Sequence, residues 1–394
     1  MKILFVADGR SPISRNWIRY FAERGDEVYL ASTFACELDF PVKRLELTPV
    51  AFSAVKKQTS TPGSGSSRTL GLRTLNRQWL GPLTISRSAR KLRAFIQEVQ
   101  PDIVHALRVP YEGMLAAEAL SGRRVSRPRF LVSIWGNDFT LHAPSTPLMG
   151  YYTRKVMNAV DALHADCERD IRLARAWGLG AESPTLVAPG NGGIRGDVFY
   201  PPKESVKEPV IINPRGFRAY VKNEAFFKSI PLVLAKRSDA RFVCSSMQGE
   251  AQALKWIQEL GIEHAVQLNP PLSHEQMGEV FRGAQIVVSP SVHDGTPNSL
   301  IEGMACGCFP VAGDLESIRE WITPGQNGLL VDPNNPQAIA DAILIALERE
   351  DLRREAAGLN ANMISAKAEY GRTMERVVEF YRSVIMSASH QAGG

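Results

Sequence analysis

No stretch of this 394-residue sequence reaches the roughly 18 uninterrupted apolar residues that make a membrane span. Its opening, M-K-I-L-F-V-A-D-G, carries one lysine and only five apolar residues in succession, too few for a signal peptide. Together these two absences set a cytoplasmic expectation. Cysteine is scarce: Cys36, Cys167, Cys244, Cys306 and Cys308 are an odd number, without spacing that would suit a zinc site or a disulfide framework. Cys306 and Cys308 flank Gly307 at an expected helix-to-strand turn and read as small buried side chains. No G-x-G-x-x-G follows the first expected strand, which argues against a nicotinamide enzyme. No D-x-D cluster is present to carry a phosphate-bridging metal, so no metal and no cofactor is expected. Finally, residues 51–97 contain no acidic side chain at all.

What is present is an ordinary globular composition, 44% hydrophobic and 22% charged with a net charge of +5, which sustains sizeable cores in a chain long enough for two or three domains. In the acid-free segment stand Lys56, Lys57, Arg68, Arg73, Arg77, Arg87, Arg90, Lys91 and Arg93, around a central T-S-T-P-G-S-G-S-S. Such a segment attracts anionic lipid head groups or an anionic acceptor, and Trp79 and Leu80 beside it could enter an interface. The bland alternative is a solvated loop leading into a basic helix. Nothing in the pattern suggests nucleic acid as a partner.

Strand and helix alternate along the whole chain. Residues 3–7 read as a buried strand, 15–24 as a helix with Trp17, Ile18, Phe21 and Ala22 at helical spacing, and 27–31 as the next strand. Strand, helix and strand within about 30 residues make a right-handed parallel crossover. The alternation continues through expected strands at 102–106, 129–135, 162–165 and 185–188. It breaks at Tyr200-Pro201-Pro202 and restarts with strands at 209–213, 241–245, 266–268, 284–290, 309–312 and 328–331, interleaved with helices at 223–236, 249–260, 275–282 and 300–305. The expected class is therefore α/β. It comprises a doubly wound Rossmann-like domain over 1–200, a second over 205–369, and a final amphipathic helix from 370 before a disordered tail. Two such domains on a short link imply a cleft, a favoured place for a ligand.

The densest signal is D-G-T-P-N-S-L-I-E at 294–302, followed by G-M-A-C-G-C-F-P-V-A-G-D. Asp294 falls on a loop after an expected strand, and Glu302 lies one or two turns into the next helix. The peptide N–H groups of Gly295, Thr296, Asn298, Ser299 and Leu300, with Pro297 among them, lie near that helix's start, where unpaired donors and the dipole favour an anion. A phosphate seat flanked by two hydroxyl acceptors suggests a nucleotide-sugar site. A helix merely capped by Asp294 or Asn298 would leave part of the same pattern.

This stretch resembles the large group 1 family of retaining glycosyltransferases with the GT-B fold, in which two acids separated by seven residues bracket the donor. The resemblance covers most of the chain and is sharpest over 294–314, and it implies that the final helix from 370 crosses back to the first domain. It implies that Asp294 contacts the donor sugar, although the family more often has Glu there, and that Glu302 contacts the ribose. It also implies that N-P-R-G-F-R-A-Y-V-K-N supplies Arg215 and Lys222 to grip the diphosphate and stabilise it as leaving group, with Arg218 competing for the arginine role. In the first domain the resemblance points to His105 as a donor-sugar or acceptor contact. Asn137 and Asp138, Arg10, Ser11 and Ser14, and Asn191 within P-G-N-G-G are expected to line the cleft, although an Asx turn explains Asn137 and Asp138 nearly as well.

The implied activity is transfer of a sugar from a nucleoside diphosphate to a hydroxyl acceptor, such as a glycolipid, a surface polysaccharide or a metabolite. No metal is implied, and the protein would sit in the cytoplasm or against the inner face of the plasma membrane through residues 51–97. Rival readings are a sugar-nucleotide epimerase or a phosphorylase on the same architecture, and a catalytically silent nucleotide-sugar-binding subunit.

Overall fold

The computed structural model describes residues 1–51, 53, 79–122 and 127–391, with side chains to residue 387. The basic positions Lys56, Lys57, Arg68, Arg73 and Arg77, and the end of the expected tail, lie outside the described residues. The chain divides into two units, Met1–Gly192 with Thr373–Gly394, and Gly193–Arg372. This division falls ahead of the Tyr200-Pro201-Pro202 break. The reason lies in packing: Ile194, Val198 and Phe199 are already buried in the second unit's core, and the Ile194 amide donates to Ala368 O at 2.6 Å.

The first unit is built on a seven-stranded parallel sheet in the order β3-β2-β1-β4-β5-β6-β7. Its strands are β1 (Lys2–Ala7), β2 (Glu27–Ser32), β3 (Arg44–Leu47), β4 (Ile103–Leu107), β5 (Arg129–Ile134), β6 (Ala162–Ala165) and β7 (Thr185–Val187). Its helices are α1 (Pro12–Glu23), α2 (Ile85–Val99), α3 (Met114–Ala119), α4 (Pro147–Ala159) and α5 (Glu168–Ala176). The second unit has six parallel strands in the order β10-β9-β8-β11-β12-β13. These are β8 (Val210–Asn213), β9 (Arg241–Cys244), β10 (Val266–Leu268), β11 (Ile286–Ser289), β12 (Phe309–Gly313) and β13 (Leu329–Val331). They alternate with α6 (Asn223–Leu234), α7 (Ala251–Leu260), α8 (His274–Arg282) and α9 (Asn298–Ala305), and are followed by α10 (Pro336–Glu348) and α11 (Glu350–Lys367), whereas α12 (Tyr370–Gln391) belongs from Thr373 onward to the first unit.

The sheets are covered on both faces, as parallel sheets require. In the second unit alternate side chains serve two cores: Ile286 and Val288 of β11 join one and Val287 the other, just as Ile211 and Ile212 of β8 divide. Both sheets reverse their winding beside their first strand, between β1 and β4 and between β8 and β11. At such a switch point the following loops diverge and leave a crevice at the carboxyl ends of the strands. Among the described residues no helix is long and apolar enough to cross a membrane.

Candidate active site

The carboxyl ends of β8 and β11 lie side by side, and each launches a loop carrying a predicted site residue. From β8 comes Arg215, and from β11 comes Asp294. Their side chains meet, Arg215 Nη2 donating to Asp294 Oδ2 at 2.6 Å, with only 11% and 13% of the side chains exposed. Burial pushes the Asp294 carboxyl up from its usual range, and the Arg215 guanidinium opposes this. Two residues the sequence did not single out hold the Asp294 loop in place: Ser317 Oγ donates to Asp294 O at 2.7 Å, and Trp321 Nε1 donates to Thr296 Oγ1 at 3.0 Å. Gly313 at the end of β12 admits the same loop, since a Cβ there would stand 2.2 Å from Ser291 O.

Lys222 sits at the N-cap of α6 with its amide donating to Pro290 O at 2.8 Å, so its backbone is fixed to the exit of β11. Its half-buried ammonium makes no ion pair or hydrogen bond among the described residues. Arg218 is exposed and donates from Nε to Arg215 O at 3.3 Å, while Arg215 is the arginine drawn against the acid.

Both helices that follow these strands start without a side-chain cap, with Lys222 and Pro297 at their N-cap positions. The capped-helix reading of 294–302 therefore fails: proline offers no side-chain acceptor, and the Asn298 and Ser299 amides make no hydrogen bond among the described residues. One turn on, Glu302 is buried and its carboxylate has no hydrogen bond or ion pair among the described residues. Burial lifts its pKa to about 7, against the pull of Arg215. Leu300 faces the core, so only its backbone is available to a ligand.

Five buried polar side-chain atoms among the described residues of this unit lack a hydrogen-bond partner: Arg215 Nε, Ser245 Oγ, Ser289 Oγ, Asn298 Oδ1 and Ser299 Oγ. All five lie at or just beyond the carboxyl ends of β8, β9 and β11. A buried polar group left unpaired costs about 1–3 kcal/mol, so their concentration at one sheet edge marks a place where a polar ligand supplies the missing partners.

In the first unit the predicted residues separate. His105 lies in the middle of β4, fully buried, with both ring nitrogens engaged: Tyr381 Oη bonds Nδ1, and Ser133 Oγ lies 2.8 Å from Nε2. This corrects the expectation that it contacts a sugar, because neither nitrogen remains for one. The network continues from Ser133 Oγ to His164 Nδ1 at 2.8 Å and from His164 Nε2 to Ala188 O at 3.0 Å, and begins with Trp17 Nε1 donating to Tyr381 Oη at 2.9 Å.

Asp138 is likewise a brace rather than an acceptor contact. Its buried carboxylate takes bonds from Arg108 Nη2 at 2.6 Å and the Val109 amide at 3.1 Å, while Asn137 Oδ1 receives Arg108 Nη2 at 3.3 Å. Ser11 caps α1, accepting from the Ser14 amide at 3.4 Å, and Arg10 pairs with Asp8 at 2.9 Å over the Phe34 ring. Asn191 is buried and its carbonyl accepts from Asn16 Nδ2 at 2.5 Å.

Asp166, Cys167 and Asp170, past the end of β6, place one potential metal-binding atom each within 4.8 Å of one another. Arg169 Nη2, 2.8 Å from Asp170 Oδ1, already supplies positive charge there. Cys167, Cys244, Cys306 and Cys308 are buried and unbridged, and Cys36 is half-buried.

Comparison with known proteins agrees with this architecture. A family model described as glycosyl transferases group 1 matches residues 200–362, and one described as glycosyl transferase 4-like domain matches residues 9–190. Among curated relatives, a D-inositol 3-phosphate glycosyltransferase of Corynebacterium urealyticum is 32% identical over 127 residues, which are 32% of this chain and 30% of that protein. One from Mycolicibacterium smegmatis is 28% identical over 220 residues, 53% of this chain and 50% of that protein. The matched stretches thus span only about a third to a half of those relatives.

Among solved structures, a sucrose-phosphate synthase from Thermosynechococcus elongatus superposes with a TM-score of 0.75 at 14% identity, covering 98% of this chain and 100% of that one. Anabaena HepE in complex with UDP-glucose gives 0.73 at 15% identity, covering 97% and 100%. With two doubly wound parallel sheets of the GT-B fold and family matches over both halves, the chain belongs to the group 1 glycosyltransferases.

Proposed function

We propose that the chain is a retaining glycosyltransferase that moves a sugar from a nucleoside diphosphate to a hydroxyl acceptor. The observation that carries this reading is the set of unpartnered polar groups at the β8–β11 switch point, a buried carboxylate and an uncommitted lysine among them. On this reading the ribose hydroxyls donate to ionised Glu302, and the diphosphate takes the Asn298 and Ser299 amides, Arg215 and Lys222. Asp294 accepts from the donor sugar. As the glycosidic C–O bond breaks, negative charge grows on the leaving phosphate, where the two cations stabilise it, and the acceptor hydroxyl passes its proton to that phosphate while attacking the same face. The two fixed cations would make a metal unnecessary.

The relatives named as D-inositol 3-phosphate glycosyltransferases favour a polyol acceptor, and the HepE complex favours a UDP-sugar. The test is incubation with UDP-, GDP- and ADP-sugars and a panel of polyol and lipid acceptors, with the product anomer read by NMR. Retention of configuration that survives EDTA is expected. Inversion, or loss of all transfer on chelation, overturns the reading.

We further propose that the first unit meets anionic membrane through the start of α2. Leu83 (67% exposed) and Trp79 (57%) project beside Arg87 and Arg90, which follow Leu83 at helical spacing and have no acidic partner among the described residues. Sedimentation with phosphatidylglycerol vesicles should fall several-fold in a Trp79→Ala, Leu83→Ala double variant. Equal binding by both proteins removes this surface from consideration.

A further inference from the structure

Resting on the donor site proposed above, we infer that Asn213 and Asn223 form an amide clasp that positions Arg215 and Lys222 for the diphosphate. Asn213 ends β8 and Asn223 opens α6, directly after Lys222, and both side chains are buried. Asn213 Oδ1 accepts from the Arg215 amide at 3.2 Å, and Asn213 Nδ2 donates to Asn223 Oδ1 at 3.0 Å. Asn223 Nδ2 in turn donates to Gly216 O at 2.8 Å. The two ends fix the orientation of every amide between them. A peptide N–H can only donate and a peptide carbonyl can only accept, so turning either side chain over would set acceptor against acceptor or donor against donor.

The clasp ties down the start of a loop whose far end is held separately, by the Val221–Ser291 bridge and by the Val292 amide donating to Tyr220 O at 2.9 Å. Gly216 turns the chain with φ +62°, and a Cβ there would lie 3.3 Å from Ser246 Cβ, so the turn is confined to glycine and gains no side-chain packing of its own. Beyond it, Arg218 and Ala219 are exposed, and Phe217 stacks on Trp256 with ring centroids 5.8 Å apart. The Arg215 backbone is thus tied through two buried amides to the first residue of α6, whose other neighbour, Lys222, is tied to Pro290 O. The clasp therefore fixes the spacing of two cations that come from opposite ends of one loop. Neither asparagine carries charge or is proposed to touch substrate. They are positioning residues, and a misplacement of about 1 Å at such a site costs on the order of 10²-fold.

The test compares Asn223→Ala, Asn213→Ala, the double variant and Arg215→Ala in the full chain. Calorimetry measures affinity for UDP, GDP or ADP, whichever raises the melting temperature of the unaltered protein, and for the matching nucleoside, which has no phosphate. Each asparagine variant should lose at least tenfold in diphosphate affinity and keep nucleoside affinity within about twofold, with the double variant no worse than the poorer single one, since the pair acts as one unit. Should Asn223→Ala fail to fold, Asn223→Ser shortens the side chain at lower cost and carries the same expectation. Loss of diphosphate binding in Arg215→Ala with normal binding in the asparagine variants overturns the clasp and leaves the donor site standing. Normal binding in Arg215→Ala, or no nucleoside diphosphate bound by the unaltered protein, overturns the donor site and the clasp with it. A proportional loss of nucleoside and diphosphate affinity assigns the asparagines a purely structural role.

Discussion

Replacing Glu302 by glutamine should stabilise the protein in alkali and leave it unchanged in acid. The carboxyl is buried without a hydrogen bond or ion pair among the described residues, so the amide forfeits none of either. Its pKa rises from the usual 4.5 to about 7 in the folded chain, chiefly through burial. Between those values the folded state holds a proton that the unfolded state has released, so stability falls as pH rises through this window, and the whole penalty is present above it. A displacement of that size corresponds to roughly 3 kcal/mol as a ceiling. For a unit of this size that is a rise in melting temperature of several degrees, about 10 °C at most.

The assay is thermal unfolding of both proteins without ligand, from pH 4.5 to 8.5. Taking the difference between them removes other titrations, including His164, whose pKa is lowered to about 4 by burial and which costs stability as pH falls from about 6.5 toward 4. A Glu302→Gln variant less stable than the unaltered protein at pH 8, or a difference that does not change with pH, refutes the reasoning. Nucleotide affinity should move the opposite way, because the ribose loses its charged acceptor. An unaltered affinity would show that Glu302 is buried for some other purpose.

Lys222→Ala should lower kcat by about 10² to 10³ while changing stability by no more than about 0.5 kcal/mol, because the ammonium makes no ion pair or hydrogen bond among the described residues; a kcat within threefold of normal removes Lys222 from the reaction. In the buried network of the first unit, Trp17 Nε1–H can only donate and Ala188 O can only accept, which places the proton of both His105 and His164 on Nε2. Nitrogen chemical shifts should report that tautomer for both rings, and a proton on Nδ1 of either breaks the chain of bonds. Tyr381→Phe strands the Trp17 and His105 nitrogens and should cost about 2 kcal/mol or more, measured by denaturant unfolding. Gly313→Ala drives a methyl into Ser291 O and should destabilise the second unit by more than about 2 kcal/mol, a loss that wild-type-like unfolding would disprove.

The parallel architecture was legible because strands buried on both faces read as short apolar runs between amphipathic helices, as in 286–289 before 298–305. The strand β3 was not legible: Arg44-Leu45-Glu46-Leu47 is a half-exposed edge, and its charges look like those of a loop. The helices α10 and α11, with their mixed faces, were likewise not singled out. In the site, Arg215, Lys222, Asp294 and Glu302 stand out because their spacing resembles that of the family's diphosphate-gripping Arg and Lys and its pair of acids separated by seven residues. Asn213, Asn223, Ser317 and Trp321 do not, because their importance lies in which backbone atom they reach across the fold. His105 failed for the complementary reason. A histidine at a strand end and one inside a strand look alike in sequence, and only the registers of β4 with β1 and β5 put this one in the interior.

The most direct measurement is a crystal structure of the chain with the nucleoside diphosphate that most raises its melting temperature. The account predicts diphosphate oxygens within hydrogen-bond reach of Arg215, Lys222 and the first amides of α9, with the ribose hydroxyls on Glu302. A nucleotide seated elsewhere, with the β8–β11 edge still holding its unpartnered groups, would contradict it.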